Sequence, residues 1–479
     1  MEIAVIGSGP GGMTAAKKLT DHGFKVTLFE KGPYITQQAG PVPYSVDEMD
    51  AKYTNKGITV ALGKVNINYA EGSCMGGGSE VNAGLYHRTP KQILEDWKIN
   101  YGIEFAEESL LEEHFKFNES ILNVGLMPFS APAASQKICD GAKILEWECS
   151  EVPRWYKYTS DTDKGIFSGV RQSMTEAVLP TINKANLKIL HNTNVTKIWE
   201  IDSKKVVVEF NNKINSNSVT KDFDAIFVSC GAIGTPHLLK KSKIGPKYIG
   251  NNLKLHTSIK ATARFLDKVN GMGVGIPVHQ IKEFAPDFSI GGAISNLPFL
   301  AANLSDNGVN PLQLSRDWHY YATYYGAITL GTGKVISLPF IDKPLVLFNL
   351  GKGGLELLTK TLKKLCELLF AAGAVEIFPS LKNFSSLSAL KDIEKLPSII
   401  DPKQASLMTI HMMGTCPIGN HKQSCLDLNG KLKGTKNIYV TDASMIPTAL
   451  GVNPQGTIMA LSSLVASKFC ERNIKCRNS

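Results

Sequence analysis

Gly7-Ser8-Gly9-Pro10-Gly11-Gly12 opens the chain, and an acidic residue, Glu30, follows 18 residues beyond Gly12. Glycines at G-x-G-x-x-G spacing suit a backbone that turns sharply at Gly7, approaches a pyrophosphate at Gly9 and packs a helix closely on a strand at Gly12. Phosphates held there meet the free N–H groups and the positive dipole end of the following helix. A carboxylate at about this distance grips ribose hydroxyls. The pattern predicts a dinucleotide site and leaves FAD and NAD equally open. Near the other end, Cys416, His421 and Cys425 are metal-ligand types, but His411 is the only evident fourth ligand, and no metal is assigned. A G-x-S-x-G elbow is absent, and Gly245 to Gly250 lacks the Lys of a Walker loop.

Periodicity supplies the elements that must position these residues. Ile3 to Ile6 is a short apolar run of the kind central to parallel sheets, followed by a helix from Gly11 to Asp21 and a strand from Lys25 to Phe29 that ends at Glu30. Residues 31–70 read as irregular, and Gly76-Gly77-Gly78 opens a second loop-to-helix junction. Residues 100–185 carry interrupted helical periodicity. Strands are expected at Leu187–Leu190, Val195–Ile201 and Val206–Phe210, the last two bracketing a hairpin turn at Asp202-Ser203-Lys204. Phe223 to Ser229 is another strand, running into Gly231. Residues 260–350 alternate as a second, largely antiparallel sheet, with Trp318 to Tyr321 and Tyr324-Tyr325 read as its core ahead of the alternative, the lining of a substrate cavity. A helix from Leu355 to Ala372, a strand at Ile438–Val440 and a helix from Gln455 to Phe469 complete the chain.

The expectation is an α/β protein. A Rossmann-like dinucleotide-binding domain is assembled from residues 1–95, 186–262 and 405–479, and a substrate domain of mixed, largely antiparallel sheet backed by helices from 96–185 and 263–404. The 479 residues suffice for two or three cores, and 43% apolar with 20% charged residues is an ordinary globular composition. The net charge of +9 comes from scattered lysines with no aromatic-interleaved patch, which argues against nucleic acid. Nine irregularly placed cysteines in so large a chain read as reduced thiols. The first strand begins at Glu2, leaving no room for a signal peptide, and Lys360, Lys363, Lys364 and Glu367 interrupt the most apolar stretch. These features predict a cytoplasmic protein without a transmembrane segment.

Six ordered segments resemble the glucose–methanol–choline (GMC) oxidoreductases. Besides the opening glycines they are Gly76-Gly77-Gly78-Ser79-Glu80-Val81-Asn82, Gly231-Ala232-Ile233-Gly234-Thr235-Pro236 with Leu238-Leu239 and Ile244-Gly245, and Gly250-Asn251-Asn252-Leu253 with His256. His411-Met412-Met413-Gly414-Thr415-Cys416-Pro417-Ile418-Gly419 is similar to the family's H-x-x-G-[TS]-C-x-x-G. Val440 to Pro447 together with Gly451-Val452-Asn453-Pro454 are similar to its V-x-D-[AG]-S-x-x-P and G-x-N-P. The helix ending at Ala371-Ala372-Gly373-Ala374 is most similar to the long-chain alcohol and sterol oxidase branch.

The resemblance implies FAD, bound through Gly7, Ser8, Gly9, Gly11, Gly12, Glu30, Gly77, Gly78, Ser79, Asn82, Val195, Gly231, Asp442, Pro454 and Gln455. It implies non-covalent binding, since Gly72 to Met75 contains none of the His residues that tether flavin in some members. Lys243 departs from the family's usual Gly and is expected to alter a loop only. The implied reaction is oxidation of an alcohol by hydride transfer to flavin N5, with His411 as the base and Asn453 as its hydrogen-bond partner. The implied substrate is a small-molecule alcohol, bulky and apolar on the branch resemblance, with oxygen or an organic or protein acceptor taking the electrons. Alternatives within the same scaffold are cyanohydrin cleavage and light-driven decarboxylation; outside catalysis, a non-catalytic FAD-binding protein.

Overall fold

The apolar run at the N-terminus forms the centre of a five-stranded, all-parallel sheet. Its order is Ile438–Val440, Ala225–Val228, Glu2–Ile6, Lys25–Phe29 and Leu187–Leu190. Side chains of its inner strands are buried on both faces, which is why they read as continuous apolar runs. These strands come from a computed structural model that describes residues 1–161, 166–201, 205–212, 217–271 and 277–478. The helix Pro10–Asp21 follows the first strand and packs against the closing helix, which begins at Gln455 as expected but continues to Asn478. Thr193–Glu200 and Val206–Asn212 pair antiparallel, and Val219–Phe223 adds a third strand. The expected turn at Asp202–Lys204 lies outside the described residues.

The second sheet has nine strands, built around Thr257–Arg264, which pairs along its whole length with Tyr321–Ile328. Phe288–Gly292, His279–Ile281 and Cys149–Glu151 extend it on one side. The amphipathic helix, observed as Gly351–Ala371, packs on it together with Ala133–Ile144. The aromatic run divides. Tyr324 is core, its hydroxyl donating to the Ala134 carbonyl at 2.8 Å, whereas Tyr325 faces a cavity described below.

Three features differ from the sequence expectation. Val60–Ala61, Ile67–Tyr69, Leu407–Thr409 and most of Thr257–Arg264 belong to the nine-stranded sheet, although the sequence division placed them with the dinucleotide domain. Strands of two or three residues have no readable alternation, and long-range pairings such as Leu407 with Ile67 decide their sheet. The helix Glu108–Leu122, placed with the substrate domain, packs on the closing helix, with His114 Nδ1 2.9 Å from Ser463 Oγ. Residues Arg154–Asp161 and Ile166–Arg171 form an antiparallel hairpin where interrupted helix was expected. Among the described residues, no helix is long and apolar enough to cross a membrane.

Lys243 has a local explanation. It sits with φ 56° just past the helix Gly231–Lys241, donating to the Lys240 carbonyl at 3.0 Å while Ile244 donates to that of Leu239 at 3.2 Å. That is the left-handed helix stop that glycine adopts without strain. Lys243→Gly should raise the stability of the protein by about 0.5–1 kcal/mol, read as a higher urea midpoint at unchanged flavin content.

Candidate active site

The two glycine loops meet. Gly76 N–H donates to Ser8 Oγ at 3.0 Å, and a Cβ on Gly77 would stand 2.9 Å from the Gly9 Cα. The glycines divide the work. A Cβ on Gly7 would strike the Ser229 carbonyl oxygen at 2.2 Å, on Gly11 that of Thr441 at 1.9 Å, and on Gly12 that of Gly7 at 2.0 Å. Those three let chain pack on chain. Gly9 and Gly78, in contrast, have nothing within 4 Å of the position a Cβ would take. Bare backbone facing open space, beside the N-terminus of the helix Pro10–Asp21, is the surface a pyrophosphate needs.

Glu30, at the end of its strand, accepts from Ser8 N–H at 3.1 Å, Ser8 Oγ–H at 2.7 Å and Gly32 N–H at 2.8 Å. These bonds use both lone pairs of Oε2 and one of Oε1, leaving Oε1 able to accept from a ribose hydroxyl. Val195 lies at a register break in its hairpin, just beyond Thr193, whose N–H bonds the Glu30 carbonyl. Asn82 donates to Gln455 Oε1 at 2.8 Å, tying the second glycine loop to the start of the closing helix. Ser79 Oγ donates to the Gly76 carbonyl and accepts from Met174 N–H, so its hydroxyl shapes the loop. The buried Asp442 carboxylate accepts from Gly231 N–H, Thr235 Oγ–H and Ser444 N–H, joining the Gly231 turn to the strand Ile438–Val440. Pro454 is buried and its carbonyl accepts from Ile458 N–H, setting the first turn of the closing helix. These groups fit a bound dinucleotide.

The histidine site is built by a two-stranded bridge that pairs Leu255 with Met412, so His256 and His411 face each other. Their Nδ1 atoms are 2.9 Å apart and their rings are perpendicular. His256 Nε2 accepts from the N–H groups of Leu450 and Gly451, both at 3.1 Å. Those bonds fix the segment that carries Asn453, whose Nδ2 lies 3.2 Å from His411 Nε2. His411 and Asn453, expected as partners, thus meet, and His256 anchors both.

Proton counting gives the trio a direction. His256 Nε2 faces two donors, so a neutral His256 carries its proton on Nδ1 and donates it to His411 Nδ1. Neutral His411 then carries its own proton on Nε2. In that tautomer Nε2–H would meet the carbonyl end of the Asn453 carboxamide, a half-turn from the orientation that places Nδ2 at the ring. Both rings are neutral: burial, then the Lys282 charge, pushes His411 down to about 4, and burial pushes His256 well below the usual imidazole range. In that tautomer Nε2 is not bare, as the base role expected for His411 requires.

Around the trio lies a cavity walled also by Gln280, Ser289 and Tyr325, with a volume of ≈ 20 Å³. Gln280 Nε2 donates to the Tyr325 hydroxyl at 3.0 Å. A larger groove of ≈ 940 Å³ runs along the helix Gly351–Ala371 and contains none of these residues. Two neighbours escaped the sequence reading. His87 has a buried Nδ1 without a hydrogen-bond partner and is pushed down to about 3 by burial, then by Lys282 and His411. Lys282 has a buried, unpartnered Nζ. Neither lies in a quoted motif, although His87 follows the second glycine loop closely. Cys416 and Cys425 are buried, and His421 Nδ1 pairs with Ser424 Oγ. Among the described residues, no three His, Cys, Asp or Glu side chains converge on a metal position.

The family model for GMC oxidoreductases matches residues 49–258 in its N-terminal part and 349–462 in its C-terminal part, and that for NAD(P)-binding Rossmann-like domains matches 5–53. A GMC-type oxidoreductase of Sinorhizobium fredii is 33% identical over 97% of this chain and 94% of its own. The chain belongs to the GMC oxidoreductase family. This GMC protein is therefore an FAD-dependent oxidoreductase of CH–OH donors, and its dinucleotide fold is the one the opening glycines predicted. It is similar to a long-chain-alcohol oxidase of Arabidopsis thaliana, at 25% identity over 96% of this chain and 67% of that one. In fold it is similar to pyridoxine 4-oxidase from Mesorbium loti, with a TM-score of 0.74 and 18% identity over 98% of this chain and 99% of that one.

Proposed function

We propose that this protein oxidises an alcohol whose carbinol oxygen sits between His411 Nε2 and the Asn453 carboxamide. The observation that carries the reading is the meeting of these two side chains, 3.2 Å apart and 42 residues distant in sequence, beside a cavity in the second sheet. The names of the relatives, a long-chain-alcohol oxidase and a pyridoxine oxidase, support it. FAD, when bound, takes up the hydride from the carbinol carbon. Gly7 to Gly12 and Glu30 would hold its adenosine and phosphates. Val195, Gly77, Gly78, Ser79, Asn82, Gly231, Asp442, Pro454 and Gln455 would hold the remainder of the cofactor. No covalent tether is invoked. The closing helix begins at Gln455, where free N–H groups and the dipole favour negative charge.

In the neutral trio His411 offers an N–H to the carbinol oxygen. A donor aimed at an oxygen that gains negative charge as hydride leaves strengthens along the reaction coordinate. His256 holds that polarity by donating to His411 Nδ1, and the two backbone N–H groups hold His256.

Anaerobic mixing with a panel of alcohols tests the reading: at least one should bleach the bound flavin. Turnover with an unchanging flavin spectrum would point to the non-oxidative chemistry of the scaffold and end this proposal. His256→Ala should keep the flavin and lower kcat/KM by about 10–100-fold, the usual cost of removing a partner that orients a reacting group. A rise in kcat/KM would instead show that His256 restrains a base.

A further inference from the structure

Lys282 follows the strand His279–Ile281 of the nine-stranded sheet, two residues after Gln280, so the two side chains leave the same face. Gln280 forms part of the cavity wall beside His411 and Asn453. The Lys282 Nζ is buried and has no hydrogen-bond partner. Its positive charge helps to keep His87, His256 and His411 below the usual imidazole range, after burial. Glu148 acts on it from an exposed position without a hydrogen bond to it. Burial pushes Lys282 down to about 8, so the group remains mostly protonated near neutral pH.

A buried ammonium without a partner is costly, and proteins rarely keep one idle. Its three donors need an acceptor, and its charge favours an anion. The cavity wall that Gln280 forms on the same strand is polar, with Ser289 and Tyr325. A bulky apolar alcohol would leave Nζ buried and unpaired. An alcohol bearing a carboxylate would satisfy it while the carbinol lies at His411 and Asn453.

We propose that Lys282 seats a substrate carboxylate, so that the alcohol oxidised here is a small hydroxy acid. The proposal rests on the alcohol-oxidation reading for the identity of the substrate; the anion seat itself can be measured without turnover. An alternative use of the same charge, keeping the three histidines neutral with no ligand of its own, is an outcome of the test.

The flavin-loaded protein is titrated calorimetrically with acetate and benzoate, and with the neutral acetamide and benzamide. At least one carboxylate should bind at least tenfold more tightly than its amide. Lys282→Met should erase that preference, and Lys282→Arg, which retains a cation, should retain most of it. In parallel, kcat/KM is compared for matched pairs: propanediol with hydroxypropionate, and benzyl alcohol with the hydroxymethyl benzoates. The acid-to-neutral ratio should exceed ten and fall by at least tenfold in Lys282→Met, chiefly through KM. Equal binding of carboxylates and amides, or a preference unaltered in Lys282→Met, overturns the proposal and leaves Lys282 as a tuner of the histidines. Lys282-dependent carboxylate binding in a protein that no alcohol bleaches would uphold the anion seat while removing the alcohol-oxidation reading.

Discussion

His411→Ala is expected to leave FAD bound and to slow its reduction by a good alcohol substrate by about two to four orders of magnitude, the range over which positioned donors and acid–base groups act. The substitution removes the ring that joins His256 to Asn453 and leaves the His256 Nδ1–H without its 2.9 Å partner. Stopped-flow reduction under anaerobic conditions reads the loss directly, and the absorbance of the oxidised flavin reports retention. His411→Gln separates the two possible roles. A glutamine amide can accept from His256 and still donate to a carbinol oxygen, so it should recover at least tenfold of the rate lost in His411→Ala if His411 is a donor. Equal inactivity of both variants would restore the base role read from the family resemblance.

The second large effect separates two glycines that are only two residues apart. Gly11→Ala would drive a methyl group to 1.9 Å from the Thr441 carbonyl oxygen and 2.9 Å from Ser462 Oγ. The first obstacle is backbone of the strand end beside the sheet, which cannot rotate away, so a loss of about 3 kcal/mol or more is expected, with most protein recovered unfolded. Gly9→Ala meets nothing within 4 Å and begins from φ −63°, a conformation open to any residue. Its cofactor-free form should unfold within about 0.5 kcal/mol of wild type, yet its flavin content should fall at least tenfold, because the methyl group fills the approach to the phosphates. Thermal unfolding with and without added FAD distinguishes the cases. A fully loaded Gly9→Ala protein would show that the first loop does not face the cofactor.

Much of this was legible because the chemistry near the N-terminus is local. Gly7, Gly9, Gly12 and Glu30 are spaced by one strand and one helix, so their geometry follows from the rise of each element and the turn between them. Gly11 was legible as part of a pattern but not as a packing position, since its neighbour, Thr441, is supplied by the far end of the chain. The Arg154–Arg171 hairpin was misread because it follows a run of helical periodicity that ends at Ile144 and was read as continuing past it. His256 was visible inside a motif, but its role depends on two backbone donors nearly two hundred residues away. Nothing local marks Lys282 as buried; a lysine after a three-residue strand ordinarily points to water.

By itself the sequence determined the dinucleotide fold, which rests on residue types at short spacings, while the family, FAD and the pairing of His411 with Asn453 were implied by the resemblance of six ordered segments. Tertiary structure alone decided which ring faces His411, which cation is buried near it in the fold, and which short strands build the second sheet. Proton placement depends on what the opposite ring nitrogen meets, and burial depends on every segment packed around a side chain. Both are sums over distant parts of the chain that no local pattern contains.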